Sequence, residues 1–353
     1  MSDNIDQINA VKTIQKKLVG KKLSYKEIYH LMDEIAHHRL SEVLTTYFVA
    51  SSFKNGFSPD ELYYFTKAMV ETGTRLDFDG IVADKHSTGG LAGTRTTMII
   101  VPIIAAAGFK IPKTSSRAIT SPAGTADTME VLAPVTMTPA QMKNVVEKTG
   151  GCIVWGGKLG LAPADDVIIE VQEELSFEPF DKIIISVMAK KVAADTNHLV
   201  LDIPTGKTMK IKHTKDAEKI AAKFKALAKR FDIEVAIDIN HASQPAGNSV
   251  GPMLEARDVL YVLEQHKDKP MELEAKALRL AGQLLDICYK TSNLDKNGQE
   301  EAKKLLISGA ALVKFKEIIR EQGGNPDVKS ETLKFTNHKH DVKAQKRGKI
   351  KSI

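Results

Sequence analysis

The segment Asp84-Lys85-His86-Ser87-Thr88-Gly89-Gly90 gathers a lysine, an imidazole, hydroxyls and glycines over seven residues. Set between a short strand and a helix, such a run turns backbone amides, hydroxyls and a cation toward a helix N-terminus, which is the chemistry of anion binding. It is not a Walker loop, because its lysine precedes the glycines. Either it cradles a phosphate or it is a strand-to-helix turn whose Ser and Thr serve as caps. A second polar run follows the next apolar stretch: Thr114-Ser115-Ser116-Arg117-Ala118-Ile119-Thr120-Ser121-Pro122-Ala123-Gly124-Thr125-Ala126-Asp127. Alone, it reads as an ordinary surface turn. At the end of a neighbouring strand it faces the same crevice as the first run, where open α/β sheets bind ligands. Their hydroxyls, Lys85 and Arg117 can then hold one phosphate, or a phosphate and a sugar hydroxyl. His241-Ala242-Ser243-Gln244 is a further polar set after a strand, and Asn248 reads as a helix cap.

These residues need elements to position them. Ser24 with Glu27, ahead of Ile28, Leu31, Met32 and Ile35, is a capping box before an apolar helical face. Ser41 caps the next helix, and Ser58-Pro59-Asp60-Glu61 starts another that Gly73 closes. Residues 1–73 thus read as a helical unit. From Gly80 the texture becomes short β-branched runs, polar loops and helices, the alternation of an α/β layer structure. The expected strands are Ile81–Ala83, Lys110–Lys113, Cys152–Trp155, His198–Ile203 and Ile233–Ile239, mostly parallel because crossovers are right-handed. Thr96–Ala107 is apolar on all sides, and its length favours a helix despite Pro102. Residues 161–196 return to helical character and are expected to pack on the first unit, making the helical domain discontinuous. The expected α/β domain comprises residues 74–160 and 197–335. Residues 336–353 are a basic tail, with strands over Thr332–Phe335 and Gly348–Ile353 beginning a further layer.

The 353 residues are 42% hydrophobic and 27% charged, an ordinary globular composition, and no apolar run reaches the ~18 residues of a membrane span. The first twenty residues lack the apolar block of a secretory signal, so a cytoplasmic location is expected. The net charge of +6 is concentrated in residues 337–353, where six Lys/Arg against one Asp leave five positive charges. Without interleaved aromatics this does not read as a nucleic-acid surface. Cys152 and Cys288 have no metal or disulfide spacing and read as buried free thiols. No Asp/Glu/His cluster has the spacing of a metal site, and neither a metal nor a cofactor is expected.

The runs Asp84–Gly90, Ser115-x-Arg117-x(7)-Thr125-x-Asp127-x-x-Glu130, Leu161-Ala162-Pro163-Ala164-Asp165, Ser186-x-x-x-Lys190-Lys191 and Ala246-Gly247-Asn248 occur in that order over nearly the whole chain. Together they resemble the pyrimidine/thymidine phosphorylase family and its relatives, the AMP (nucleoside monophosphate) phosphorylases. The resemblance implies a small helical domain and a larger α/β domain with a mostly parallel, mixed sheet, as in type II nucleoside phosphorylases. It also implies dimerisation through the helical domain and attack of inorganic phosphate on C1′ of a nucleoside. Carried over by position, Lys85, Ser87, Ser115 and Thr125, with the Gly89 and Gly90 backbone, hold the phosphate, and His86 lies beside them as a catalytic candidate. Ser116, Arg117, Ala118, Ile119, Thr120, Ser121, Ser186 and Lys190 match nucleotide-holding positions. Lys210 matches a lysine of the AMP enzymes and so suggests a 5′-phosphate.

Departures set the subclass. Thymidine enzymes share a His-Thr-Gly-Gly-Thr run where this chain has Ser121-Pro122-Ala123-Gly124-Thr125, as the AMP enzymes do. Pyrimidine enzymes carry an arginine to the base carbonyl where Val171 stands, and loss of that rigid donor weakens pyrimidine selection. The AMP enzymes place an aspartate as proton donor to the base where this chain has Glu178. Archaeal AMP enzymes also carry an extra N-terminal domain, and family members continue for roughly another domain beyond the position of Ile353. The expected activity is phosphorolysis of nucleoside 5′-monophosphates. A pyrimidine nucleoside phosphorylase and a non-catalytic nucleotide-binding protein are the alternatives.

Overall fold

The computed structural model describes residues 2–89, 91–118, 122–175, 180–335 and 338–349. The chain opens with α1 (Ser2–Leu18), α2 (Tyr25–Ala36), α3 (Glu42–Asn55) and α4 (Pro59–Glu71). The capping boxes form as the sequence predicts. Ser24 and Glu27 exchange side-chain and backbone hydrogen bonds at the start of α2, and Ser58 and Glu61 do so at α4. Ile28, Leu31, Met32 and Ile35 are buried on one face of α2. Glu61 also accepts from Lys17 Nζ at 3.0 Å and from the Leu23 amide at 3.2 Å, fastening α1 and the α1–α2 turn to α4.

The sheet comprises β1 (Ala83–Ser87), β2 (Ile111–Ser115), β3 (Gly151–Trp155), β4 (His198–Thr205) and β5 (Glu234–His241). Between them run α5 (Thr97–Ala106), α6 (Thr125–Glu130), α7 (Pro139–Thr149), α8 (Pro163–Leu175), α9 (Phe180–Ala193) and α10 (Thr214–Lys229). Then follow α11 (Pro252–Leu263), α12 (Met271–Thr291), α13 (Gly298–Ile307) and α14 (Ala310–Glu321). Strands β1, β4 and β5 form one ladder and β2 and β3 another, and a parallel bridge between Val82 and Lys110 joins them. The resulting order is β3-β2-β1-β4-β5, and every pairing among the described residues is parallel rather than mixed. The strand order reverses between β1 and β4, so the crevice beyond their carboxyl ends is the natural ligand position.

Apolar layers cover both faces. One core unites α5, α11, α12, α13 and α14 with Ala83, Ile111, Ile153 and Val200. The other joins the N-terminal helices, α8, α9 and α10 with Val82, Val154, Leu199 and Leu201. Helix α9 packs on α4, and α8 packs on α2 and α3. Gly73 makes that return close, since a Cβ there would lie 2.6 Å from the Leu161 carbonyl. No described helix is long and apolar enough to cross a membrane.

The sequence places β1 too early. Asp84 to Ser87 belong to the strand rather than to a loop, because ion pairs compensate the buried Asp84 and Lys85. No strand forms over Thr332–Phe335, where a 3-10 turn over Ser330–Thr332 gives way to irregular chain. Residues 348 and 349 are likewise irregular, and the rest of that expected strand lies outside the described residues. Both cysteines are buried and unpaired.

The outer strand β3 has its free edge closed by a side chain. Gln322 Oε1 accepts from the Ile153 amide at 2.8 Å, while Nε2 donates to the Ile153 and Pro134 carbonyls, each at 3.0 Å. Gln322 is 3% exposed, so water cannot easily replace it. Gln322→Ala should lower the unfolding free energy by about 1–3 kcal/mol in urea titration, and an unchanged midpoint would contradict this.

Candidate functional site

Because the sheet is parallel, Ser87, Ser115, Trp155, Thr205 and His241 all end their strands at one edge. The loop from β1 to α5 therefore lies beside the loop from β2 to α6 and across from the β4 end. Register sets Ser87 next to Asp202, whose carbonyl accepts the Thr88 amide at 3.0 Å. Gly89 turns the chain with φ +81, and its amide donates to Ser87 Oγ at 3.3 Å. Thr88 and Thr96 are buried, and neither hydroxyl has a protein partner among the described residues. Thr96 is the residue preceding α5 and does not use its side chain as a cap.

Charge is concentrated under this edge. Lys85, 4% exposed, lies 3.8 Å from Asp202 Oδ2, and Lys276 Nζ lies 3.2 Å from Asp202 Oδ1. Asp84 is fully buried between Lys113, at 3.2 Å, and Lys191. Lys113 also donates to the Lys85 carbonyl at 2.7 Å. Burial pushes the Lys85 ammonium down to about 8 and that of Lys113 to about 7. Burial raises the Asp84 carboxyl, but the fields of Lys113 and Lys191 outweigh it and the net direction is downward. Burial, reinforced by Lys191, Lys113, Lys85 and Lys190, holds the His86 imidazole well below its usual range, so it is neutral at pH 7. A neutral ring donates through one nitrogen and accepts through the other.

The opposite wall comes from α8 and α9. Asp165, fully buried, accepts Ser186 Oγ at 2.6 Å, Lys190 Nζ at 2.8 Å, and Lys182. Ser186 and Lys190 lie four residues apart on α9 and so share a face. Burial pushes Asp166 up to about 6, with Lys190 Nζ 3.6 Å from its Oδ1.

The sequence-derived candidates do not all behave alike. Lys85, His86, Ser87 and Gly89 lie together on and just beyond β1, with Ser115 and Ser116 at the end of β2 and Thr125 at the start of α6. Arg117 is committed elsewhere: it is bidentate to Glu130 at 2.5 and 2.7 Å, 3.2 Å from Asp127, and lies over the Trp155 ring. The Ala118 amide likewise donates to Asp127, at 2.7 Å. Lys210 is exposed in the turn after β4. Gly90, Ile119, Thr120, Ser121 and Glu178 lie outside the described residues. Asn248 is not a helix cap; Gly251 precedes α11, and the Asn248 amide donates to Asp258 at 2.8 Å.

Sequence reading assigns no role to Asp84, Thr96, Lys113, Lys191, Asp202, Glu255 or Lys276. One signal is present for Asp202: it is a lone acid inside the apolar run Leu199-Val200-Leu201-Asp202-Ile203. A carboxylate buried in a strand needs a cation.

The helical bundle domain of a glycosyl transferase family matches residues 11–73, and that family's a/b domain matches residues 79–312. AMP phosphorylase 1 of Archaeoglobus fulgidus is 42% identical over 345 residues, which cover 98% of this chain and 68% of that protein. AMP phosphorylase of Thermofilum pendens is 43% identical over 340 residues, covering 96% and 65%. The chain thus spans about two thirds of the length of these relatives. The structure of anthranilate phosphoribosyltransferase from Thermus thermophilus superposes with a TM-score of 0.73 at 19% identity, over 88% of this chain and 99% of that one. This last likeness is one of fold.

Asp165 binds Lys182 and Ser186 and is the nearer of two acids to Lys190. Asp165→Ala would leave the buried Lys182 ammonium uncompensated and Lys190 with Asp166 alone, and should cost about 3–5 kcal/mol of stability, read by chemical denaturation. A loss below about 1 kcal/mol would mean that these lysines are hydrated, as surface pairs are.

Proposed function

The chain belongs to the glycosyl transferase family built from a helical bundle and an a/b domain, and on that premise we propose that it catalyses phosphorolysis of nucleoside 5′-monophosphates. AMP is the leading substrate, and the products are the free base and ribose 1,5-bisphosphate. The observation that carries this reading is Lys85, a desolvated ammonium at the β1/β4 crevice, on the strand whose following segment carries two buried hydroxyls, Thr88 and Thr96, that have no protein partner among the described residues. An orthophosphate answers all three. The similarity to AMP phosphorylases over nearly the whole of this chain supports the nucleotide as substrate.

Lys85, Ser87, Ser115 and Thr125, with the amide of Gly89, hold orthophosphate against the face of C1′ opposite the base. A phosphate oxygen forms the new bond to C1′ as the C1′–N bond breaks, and the configuration at C1′ inverts. Holding the two reactants in line can supply up to ~7–11 kcal/mol of the barrier. The electron pair of the broken bond goes to the base nitrogen, which takes a proton from the Glu178 carboxyl, a contribution of ~10²–10⁴-fold for a positioned acid. His86 contributes a neutral hydrogen bond, since its ring carries no charge at pH 7. Ser186 and Lys190 receive the nucleoside from the α9 wall and Lys210 receives the 5′-phosphate. Val171, 6% exposed in the apolar core, offers no polar group to a pyrimidine edge. The enzyme acts in the cytoplasm as a homodimer, joined where Ile8, Leu18, Val43 and Tyr47 are exposed along α1 and α3.

Two measurements test this. Lys85 must be protonated to hold the anion, and burial pushes its ammonium down to about 8. The kcat/KM for phosphate should therefore carry an alkaline limb as pH rises through about 8, approaching a tenfold fall per unit, beyond the change that ionisation of orthophosphate itself imposes on native and variant protein alike. Lys85→Ala should abolish that limb and weaken phosphate use by roughly 10- to 100-fold, as loss of a charge-assisted hydrogen bond does. A phosphate dependence without an alkaline limb contradicts the role of Lys85. Lys210→Ala should depress turnover of AMP while leaving any reaction of adenosine unchanged. Preference of the native protein for unphosphorylated nucleosides overturns the nucleotide assignment.

A further inference from the structure

Glu255, on α11, is 1% exposed and lies behind the loop that follows β1. Its Oε1 accepts the amides of Gly93 at 3.1 Å and Gly251 at 3.2 Å. Its Oε2 accepts Arg95 Nε, and Thr128 Oγ1 lies 3.3 Å away, sharing its proton with the Gly124 carbonyl at 3.2 Å. One carboxylate offers about four acceptor positions, and here a donor faces each. Gly93 and Arg95 belong to the loop that carries Gly89 into α5, while Thr128 lies three residues beyond Thr125 in α6. The carboxylate therefore binds the segments that follow both halves of the oxyanion grip, although it stands outside it. The loop is also locked from its other side. The Gly247 amide donates to the Gly93 carbonyl at 2.7 Å, and a Cβ at Gly93 would lie 2.6 Å from the Ser249 carbonyl.

We propose that Glu255 is a positioning residue that sets the span between the two phosphate-gripping loops, by tying Gly93 and Arg95 of the first to Thr128 of α6, the helix into which the second leads. This rests on the phosphorolysis reading of the site. An acceptor shared by the two turns fixes the separation of Ser87 and Thr125, and oxyanion recognition tolerates little error in that separation. A displacement of about 1 Å costs on the order of 10²-fold in rate. Burial of the Arg95–Glu255 pair makes the tie stiff, because neither partner gains by turning to water.

Glu255→Gln keeps the shape but turns one acceptor into a donor facing other donors. It should raise the KM for phosphate by roughly 10- to 100-fold, with the KM for nucleotide changed by less than about twofold. Thr128→Val removes the α6 tie together with the bond to the Gly124 carbonyl and should raise the phosphate KM several-fold, and Thr128→Ser should restore it; this pair decides the matter should Glu255→Gln fail to fold. Equal losses toward phosphate and nucleotide, or an unmoved phosphate KM in Thr128→Val, overturn the proposal. The rise in melting temperature that inorganic phosphate gives the native protein is read in parallel. Absence of both that rise and phosphate-dependent base release overturns the phosphorolysis reading itself. A normal rise and turnover in the native protein with unaltered Thr128→Val overturns only the role of Glu255.

Discussion

The fully buried carboxylate of Asp84 is shared by two lysines from different parts of the chain, and most of the architecture is arranged around that sharing. Lys113 comes from β2 and Lys191 from α9, so one side chain on β1 links its neighbouring strand and the helical unit. A buried ion set adds little net stability compared with apolar packing, but removal of any one member is strongly destabilising. It therefore specifies an arrangement more than it stabilises one. Here it specifies that α9, with Ser186 and Lys190, stands against the strand that carries Lys85 and His86.

The same pattern of compensated charge recurs along the crevice. Asp202 stands between Lys85 and Lys276, Asp165 receives Lys182, Lys190 and Ser186, and Glu255 receives Arg95. Lys85 differs from the others in its distance. Its acid is 3.8 Å away, longer than the Lys276 contact with the same carboxylate. Desolvation wins at Lys85, as it also does at Lys113 despite a closer acid, while close partners win at Lys190, which burial lowers but whose pKa is raised overall by Asp165 and Asp166. A buried cation whose own pair is loose is the one on which an added anion has the most effect.

Much of this is legible in the sequence. Ser24 with Glu27 and Ser58 with Glu61 announce α2 and α4, since a capping box is local chemistry read over four residues. The β-branched runs mark strands β2 to β5 to within a few residues. The start of β1 is harder to read because polarity marks loops only when charges are solvated, and the partners of Asp84 are 29 and 107 residues away. Arg117 misleads for a related reason: its motif partner Glu130 is the group it binds, bidentately, so that the arginine staples the second loop to α6 rather than facing a ligand. Glu255 is invisible in the sequence, because nothing local distinguishes a solvated acid on a helix from one that collects donors from three segments.

The two walls of the crevice cannot separate freely. The apolar core beneath the helical unit is continuous with the sheet face bearing Val82, Leu199 and Leu201, so no solvent layer divides them. Lys191 and Asp84 cross that junction, and pulling them apart would leave the buried Lys191 charge without its acid and Asp84 with Lys113 alone, a cost of several kcal/mol. The pair therefore opposes movement of α9 away from β1. The Lys191–Asp84 pair thus fixes where the neighbouring Lys190 stands relative to His86, and it does so from a position outside the crevice.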